Sequence, residues 1–199
     1  PAYDRSKAAG ERALHEVIAA GLDAVIVNPT GIIGPIDAAP SRMGAVLLAA
    51  AAGRLPATVQ GGFDWVDVRD VVTALLAAAE RGTTGENYLV GGHFGSIADM
   101  AALACRAADR TPPRLCAPSW LAHALAPVAT RLAHRSADRL LFTREALHAL
   151  DSSPTVDHSR ATAALGHRPR SLDRSVADLI AWFAATGALA LRPAAASRR

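Results

Sequence analysis

The sequence predicts an α/β layer structure built on a parallel sheet, followed by a mostly helical segment. Three observations predict it. Helix-spaced apolar positions alternate with short apolar runs as far as about residue 110. The run Val25-Ile26-Val27 is continuously apolar, as in a parallel strand covered by helices on both faces. Beyond residue 110 helical spacing takes over.

In chain order, residues 6–20 have the spacing of a helix, with Ala9, Ala13, Leu14 and Val17 on one side and Gly21 as a C-cap. Residues 22–28 read as a short buried strand. Residues 29–40 hold three prolines and two glycines and read as loop. Residues 41–53 form a second helix. A third starts at Asp67 and runs to about Arg81, with Asp70 three residues on in a box-like capping arrangement. Residues 86–91 are a strand, and 96–110 a fourth helix capped by Ser96 and closed before Pro112-Pro113. Residues 118–150 are helical with a break at Pro127, 157–165 form a short helix, and 172–186 an amphipathic one. The expected division is 1–110, 111–192 and a frayed tail at 193–199.

Composition narrows the class. The chain has 199 residues, 51% apolar, 5% aromatic and 20% charged, with mean hydropathy +0.18, which excludes a disordered, charge-rich protein. Forty-six alanines imply a core made mainly of Ala, Leu and Val on helices. The longest uncharged apolar stretch, residues 43–53, is well short of the roughly 20 needed to cross a bilayer, so no transmembrane segment is expected. The opening residues carry no apolar run, so no secretory signal is expected. Cys105 and Cys116 provide neither a disulfide framework nor a zinc spacing, which favours a reducing cytoplasm. Net charge is +3, with 7 basic and 10 acidic residues in 1–98 and 14 basic and 8 acidic in 99–199. The basic second half could attract a nucleotide or an anionic surface, but Arg spread over several helices reads more simply as a solvated face.

Tyr3 and Lys7 lie four apart at the start of a helix, which brings a phenol and an ammonium to one face about 5 to 6 Å apart at Cβ. An adjacent ammonium favours the phenolate, so the pair suits general acid/base work on a carbonyl or carbinol. The alternative is a solvated helix face. The chain has two tyrosines and a single lysine among 21 basic residues, and that lysine stands at this spacing, where an Arg could not place the same compact charge. Other candidates have plainer explanations. Ser6 is a quarter turn from Lys7 and reads as a helix-start hydroxyl. Asp67 and Asp70 could be a paired acid/base, but capping accounts for both. His123 and His134 are separated by Pro127, so no metal site is expected. Trp120, Leu121, Leu125, Val128 and Leu132 form an apolar stripe that suits the wall of a substrate lobe. Cys105 reads as a small buried hydrophobe.

Tyr3-Asp4-Arg5-Ser6-Lys7, Val27-Asn28-Pro29-Thr30-Gly31-Ile32-Ile33-Gly34-Pro35 and Phe63-Asp64-Trp65-Val66-Asp67-Val68-Arg69-Asp70-Val71-Val72 together resemble the extended short-chain dehydrogenase/reductases. The nearest branch is that of the dihydroflavonol reductase-like and hopanoid-associated sugar epimerase-like proteins. Residues 85–92, Asp157-His158-Ser159-Arg160-Ala161, Leu165-Gly166 and Trp182-Phe183 extend the resemblance over almost the whole chain in the same order.

The resemblance implies the C-terminal portion of a Rossmann-like doubly wound parallel sheet plus a small, mostly helical substrate lobe. It implies NAD or NADP as cofactor, Tyr3 as the acid/base, and Lys7 as the group that bonds the nicotinamide ribose and favours the phenolate. Pro29, Thr30 and the turn to Ile32 would lie beside the nicotinamide carboxamide. In this family the Tyr-Lys pair falls mid-chain, after a Gly-x-x-Gly-x-x-Gly phosphate loop that these 199 residues do not contain. Gly91-Gly92-His93-Phe94-Gly95 reads as an ordinary glycine turn. The expectation is therefore a C-terminal fragment whose partners are a small-molecule substrate, the missing N-terminal half and, compatibly, a second copy in a homodimer, with no nucleic acid. The activity implied is hydride transfer to or from a carbonyl or hydroxyl. The alternatives are a nucleotide-sugar epimerase or dehydratase using the same pair, and a non-catalytic remnant acting as a binding or scaffold protein. Val25-Ile26-Val27, where sugar-nucleotide enzymes usually have Arg and aromatic residues, leans toward the reductases.

Overall fold

The computed structural model describes residues 2–121 and 155–190. In chain order the elements are helix α1 (Ala2–Ala19), strands β1 (Ile26–Pro29) and β2 (Gly31–Ile33), helix α2 (Arg42–Ala51), strands β3 (Thr58–Val59) and β4 (Gly62–Asp67), helix α3 (Val68–Arg81), strands β5 (Asn87–Val90) and β6 (His93–Ser96), helix α4 (Ile97–Ala107), strand β7 (Cys116–Ala117), and helices α5 (Ser159–Leu165) and α6 (Leu172–Ala185). The α/β class is as the sequence predicts, and each helix expected within the described residues forms, with ends that differ by a few residues.

The strands differ more. Leu22 still donates its N–H to Val17 O, closing the helix, so the first strand starts at Ile26, where the backbone N–H reaches Glu86 O, and continues to Pro29. The Pro- and Gly-rich segment after it is not all loop. Thr30 alone separates β1 from β2, which pairs in parallel with β4. Residues 91–95 are likewise more than a glycine turn, because His93–Ser96 runs antiparallel to β4. Runs of three or four residues that contain Gly and Pro carry no period-2 signal, which is why sequence patterning passes over them. The expected 118–150 helix beyond residue 121 lies outside the described residues.

Strands β1 and β5 pair in parallel, with Ile26 opposite Asn87 and Pro29 opposite Val90. Strands β2, β4 and β6 form a second ladder with β4 central, and β3 pairs in parallel with β7. The two larger ladders are joined where the Thr30 N–H donates to Val90 O at 3.2 Å.

Two apolar cores flank these strands. One gathers Leu47 and Ala50 of α2, Met100, Ala101 and Ala104 of α4, and Val176, Ile180 and Phe183 of α6 around Trp65. Ala50 and Ala51 on α2 and Ala101 and Ala104 on α4 are almost fully buried, so their small side chains let the two helices approach closely. The other core packs Val71, Ala74 and Ala78 of α3 with Tyr88, Val90 and the α5 residues Ala161 and Leu165. Ser96 and Asp99 complete a reciprocal capping box at the start of α4.

Asp70 does not serve as a capping partner. Its buried carboxylate accepts the Arg170 backbone N–H at 2.7 Å and pairs with the Arg170 guanidinium, so a residue 100 positions away fixes the segment leading into α6. Removing the cation leaves a desolvated carboxylate without its counter-charge. Arg170→Ala is expected to lower the unfolding free energy by about 3 kcal/mol in a denaturant titration. A loss no larger than that of an exposed Arg substitution would show that the pair holds nothing.

Candidate active site

Helix α1 carries the pair singled out by spacing. The Lys7 Nζ lies 5.6 Å from the centroid of the Tyr3 ring, so the two side chains share one face, and Tyr3 is 70% exposed. The helix begins at Ala2, so Ser6 is its fifth residue, an exposed position inside the helix and not its start.

The direction of α1 against the strands follows from two contacts. Glu11 accepts a hydrogen bond from Asn87 Nδ2 at 2.6 Å, while Ile18, two turns further on, lies against Gly85 just before β5. The helix therefore runs antiparallel to β5 and its parallel neighbour β1. Asn87 Oδ1 in turn accepts from Asn28 Nδ2 at 2.9 Å, which ties β1 into the same relay. Tyr3, Lys7 and Glu11 follow at four-residue intervals, and Tyr3 stands roughly 12 Å along the axis beyond Glu11. Strand β1 rises roughly 10 Å from Ile26 to Pro29, so by these rises Tyr3 is set level with the C-terminal ends of the parallel strands and Lys7, roughly 6 Å beyond Glu11, about midway along them. In open α/β sheets that end is where ligands bind.

At that end lie Pro29, Thr30 and Ile32. Pro29 and Ile32 are exposed and Thr30 is half-buried. The Thr30 hydroxyl donates to Asp64 Oδ1 at 2.7 Å, and the Gly92 N–H donates to the same oxygen at 2.6 Å. A Cβ on Gly92 would stand 1.8 Å from Trp65 O, so only glycine allows that amide to reach the carboxylate. Trp65 Nε1 donates to Gly95 O at 2.9 Å, and His167 Nε2 lies 2.6 Å from Gly91 O with the His158 ring packed edge-on 5.5 Å away. Asp64, Asn87 and Glu11 were not singled out by sequence reasoning. The available signal was a lone carboxylate at 64 within an otherwise apolar Phe-Asp-Trp-Val run.

Asp67 and Asp70 are not a paired acid/base. Asp67 caps α3 through the Arg69 N–H at 2.9 Å and pairs with the Arg69 guanidinium, which also reaches Asp178 of α6 at 2.7 Å. Burial opposes ionisation of Asp67, but hydrogen bonds and charge from Arg69 outweigh it, and the carboxyl falls from its usual 3.8 to about 2. Cys105 is buried as expected, with Sγ 3.4 Å from Ala50 O, and burial pushes its thiol up. Trp120 is exposed, while Leu125, Val128, Leu132, His123 and His134 lie outside the described residues. Among the described residues no three His, Cys, Asp or Glu side chains converge as metal ligands, and no helix is long and apolar enough to cross a membrane.

Residues 1–91 match the family model described as the NAD dependent epimerase/dehydratase family. Sterol demethylase protein B of Methylococcus capsulatus is 38% identical over 192 residues, a match covering 93% of this chain and 57% of that protein. A putative dihydroflavonol 4-reductase of Synechocystis sp. is 29% identical over 186 residues, covering 92% and 54%. Among solved structures, PA4631, a nucleoside-diphosphate-sugar epimerase from Pseudomonas aeruginosa, superposes with a TM-score of 0.75 at 26% identity, covering 96% of this chain and 57% of that one. The chain thus spans little more than half the length of these relatives.

The depressed Asp67 carboxyl predicts a pH dependence with a definite sign. Its contribution, about 2 kcal/mol, is fully present above the usual carboxyl value and is lost as pH falls through the folded value of about 2. The difference in unfolding free energy between the native chain and Asp67→Asn is therefore expected to be largest near neutrality and to shrink toward pH 2. A difference independent of pH would show that Asp67 acts only as a neutral cap.

Proposed function

We propose that this chain belongs to the NAD dependent epimerase/dehydratase family, whose model its residues 1–91 match, and that it supplies the acid/base half of a cytoplasmic NAD- or NADP-dependent oxidoreductase acting on a carbonyl or hydroxyl substrate. The observation that carries the reading is the Tyr3–Lys7 pair, held on one face of α1 at the end of the helix directed toward the C-terminal ends of β1 and β5. The residues present fit the nicotinamide end of such a cofactor: an exposed phenol, a compact ammonium for ribose hydroxyls, and a polar turn at Thr30. These 199 residues contain no Gly-x-x-Gly-x-x-Gly loop of the kind that would hold its pyrophosphate.

When bound, the dinucleotide supplies the hydride or accepts it. The chain's own residues handle the proton. Tyr3 Oη takes the proton of a substrate hydroxyl in oxidation or returns it to a carbonyl oxygen in reduction. Lys7 sets a compact positive charge 5.6 Å from the centre of the Tyr3 ring and would hold the ribose hydroxyls. Pro29, Thr30 and Ile32 line the carboxamide side. The likeness to PA4631 keeps a second reading in view, a nucleotide-sugar epimerase that uses the same pair for transient oxidation of the sugar.

In the whole protein, Tyr3→Phe keeps the ring and is expected to leave fold and cofactor affinity intact while turnover drops by roughly 10² to 10⁴. Lys7→Arg is expected to impair both turnover and cofactor binding. Turnover near the native rate in Tyr3→Phe would remove Tyr3 from the chemistry.

For the 199 residues alone, calorimetric titration with NADH or NADPH is expected to show no binding. Micromolar affinity for either would overturn the two-part reading.

A further inference from the structure

The hydrogen-bond pattern at Thr30 has a definite polarity. Asp64 Oδ1 receives the Gly92 N–H, which can only donate, and it receives the Thr30 hydroxyl at 2.7 Å. A hydroxyl has one proton and two lone pairs, so a Thr30 whose proton is committed to Asp64 presents only acceptor capacity elsewhere. Asp64 is 6% exposed and is fixed between the β1–β2 junction and the β5–β6 turn, and the Thr30 N–H is itself taken by Val90 O. Neither the direction of the proton nor the position of the oxygen is free to adapt.

We infer that Asp64 is a positioning residue that makes the Thr30 hydroxyl an obligate acceptor at the strand ends, selecting ligands that offer an N–H donor there. The inference rests on the proposed placement of Thr30 beside the nicotinamide, whose carboxamide carries an amino group of that kind. Its contribution to selectivity comes from the mismatch: a ligand that offers only an acceptor meets lone pairs and leaves the site unsatisfied.

The test measures equilibrium binding of NAD⁺ and of 3-acetylpyridine adenine dinucleotide, which replaces the carboxamide by an acetyl group and so lacks the N–H, to the whole protein. The native protein is expected to prefer NAD⁺ by about threefold to tenfold, the range of one net hydrogen bond. Thr30→Val and Asp64→Leu are expected to abolish the preference. Thr30→Ser and Asp64→Asn, which preserve the hydroxyl and an acceptor oxygen, are expected to keep it. Melting temperatures taken alongside separate selectivity from folding, and Thr30→Val decides the matter if Asp64→Leu does not fold, because it leaves the buried carboxylate in place. NAD⁺ binding with no preference in the native protein, or with the preference kept in Thr30→Val, overturns the inference and leaves the family reading standing. Failure of the whole protein to bind either dinucleotide overturns the reading on which it rests, and the inference with it.

Discussion

Strand β4 passes into helix α3 with no residue between them, and three buried carboxylates stand along that junction at positions 64, 67 and 70. A buried carboxylate is tolerated only when it is paired or hydrogen-bonded. Each of these three is answered by a different part of the chain: Thr30 and Gly92 for Asp64, Arg69 with its reach to Asp178 for Asp67, and Arg170 for Asp70. The β1–β2 junction, the β5–β6 turn and the entry to α6 are thus tied to a single strand-helix corner. Folding that corner without its partners would leave charge in an apolar interior, so the surrounding segments assemble with it.

Helix α1 stands outside this arrangement. Among its described side chains none is buried, and Glu11, Leu14 and Ile18 are half-buried along one stripe. The helix is referenced to the sheet through the Glu11–Asn87–Asn28 relay and the contact of Ile18 with Gly85. The Tyr3–Lys7 end projects from the lightly held portion of the molecule, while the Thr30 turn is anchored to the buried Asp64 and to Val90. One side of the candidate site is therefore set by deep packing and the other by surface hydrogen bonds.

Much of this was legible in the sequence. The 3.6-residue period located the helices because each buries one face, and the Tyr3–Lys7 spacing places both side chains on one face whatever the tertiary context. Ser96 announces α4 because its capping box is local. Strand β2 was hidden because Gly31-Ile32-Ile33 sits among prolines and pairs with a segment more than thirty residues away. Asp70 looked like a cap because Arg170, its partner, is invisible to any local window. Asp64 was passed over for the same reason, its donors lying at positions 30 and 92.

The lysine count has a practical side. Twenty of the 21 basic residues are Arg, which acylating and reductively alkylating reagents leave alone, and the one ε-amine is exposed on α1 one turn from Tyr3. A spectroscopic label attached through an amine therefore lands at a single side-chain address on the lightly held helix. The composition has in effect given the molecule its own reporter position, without any substitution being made.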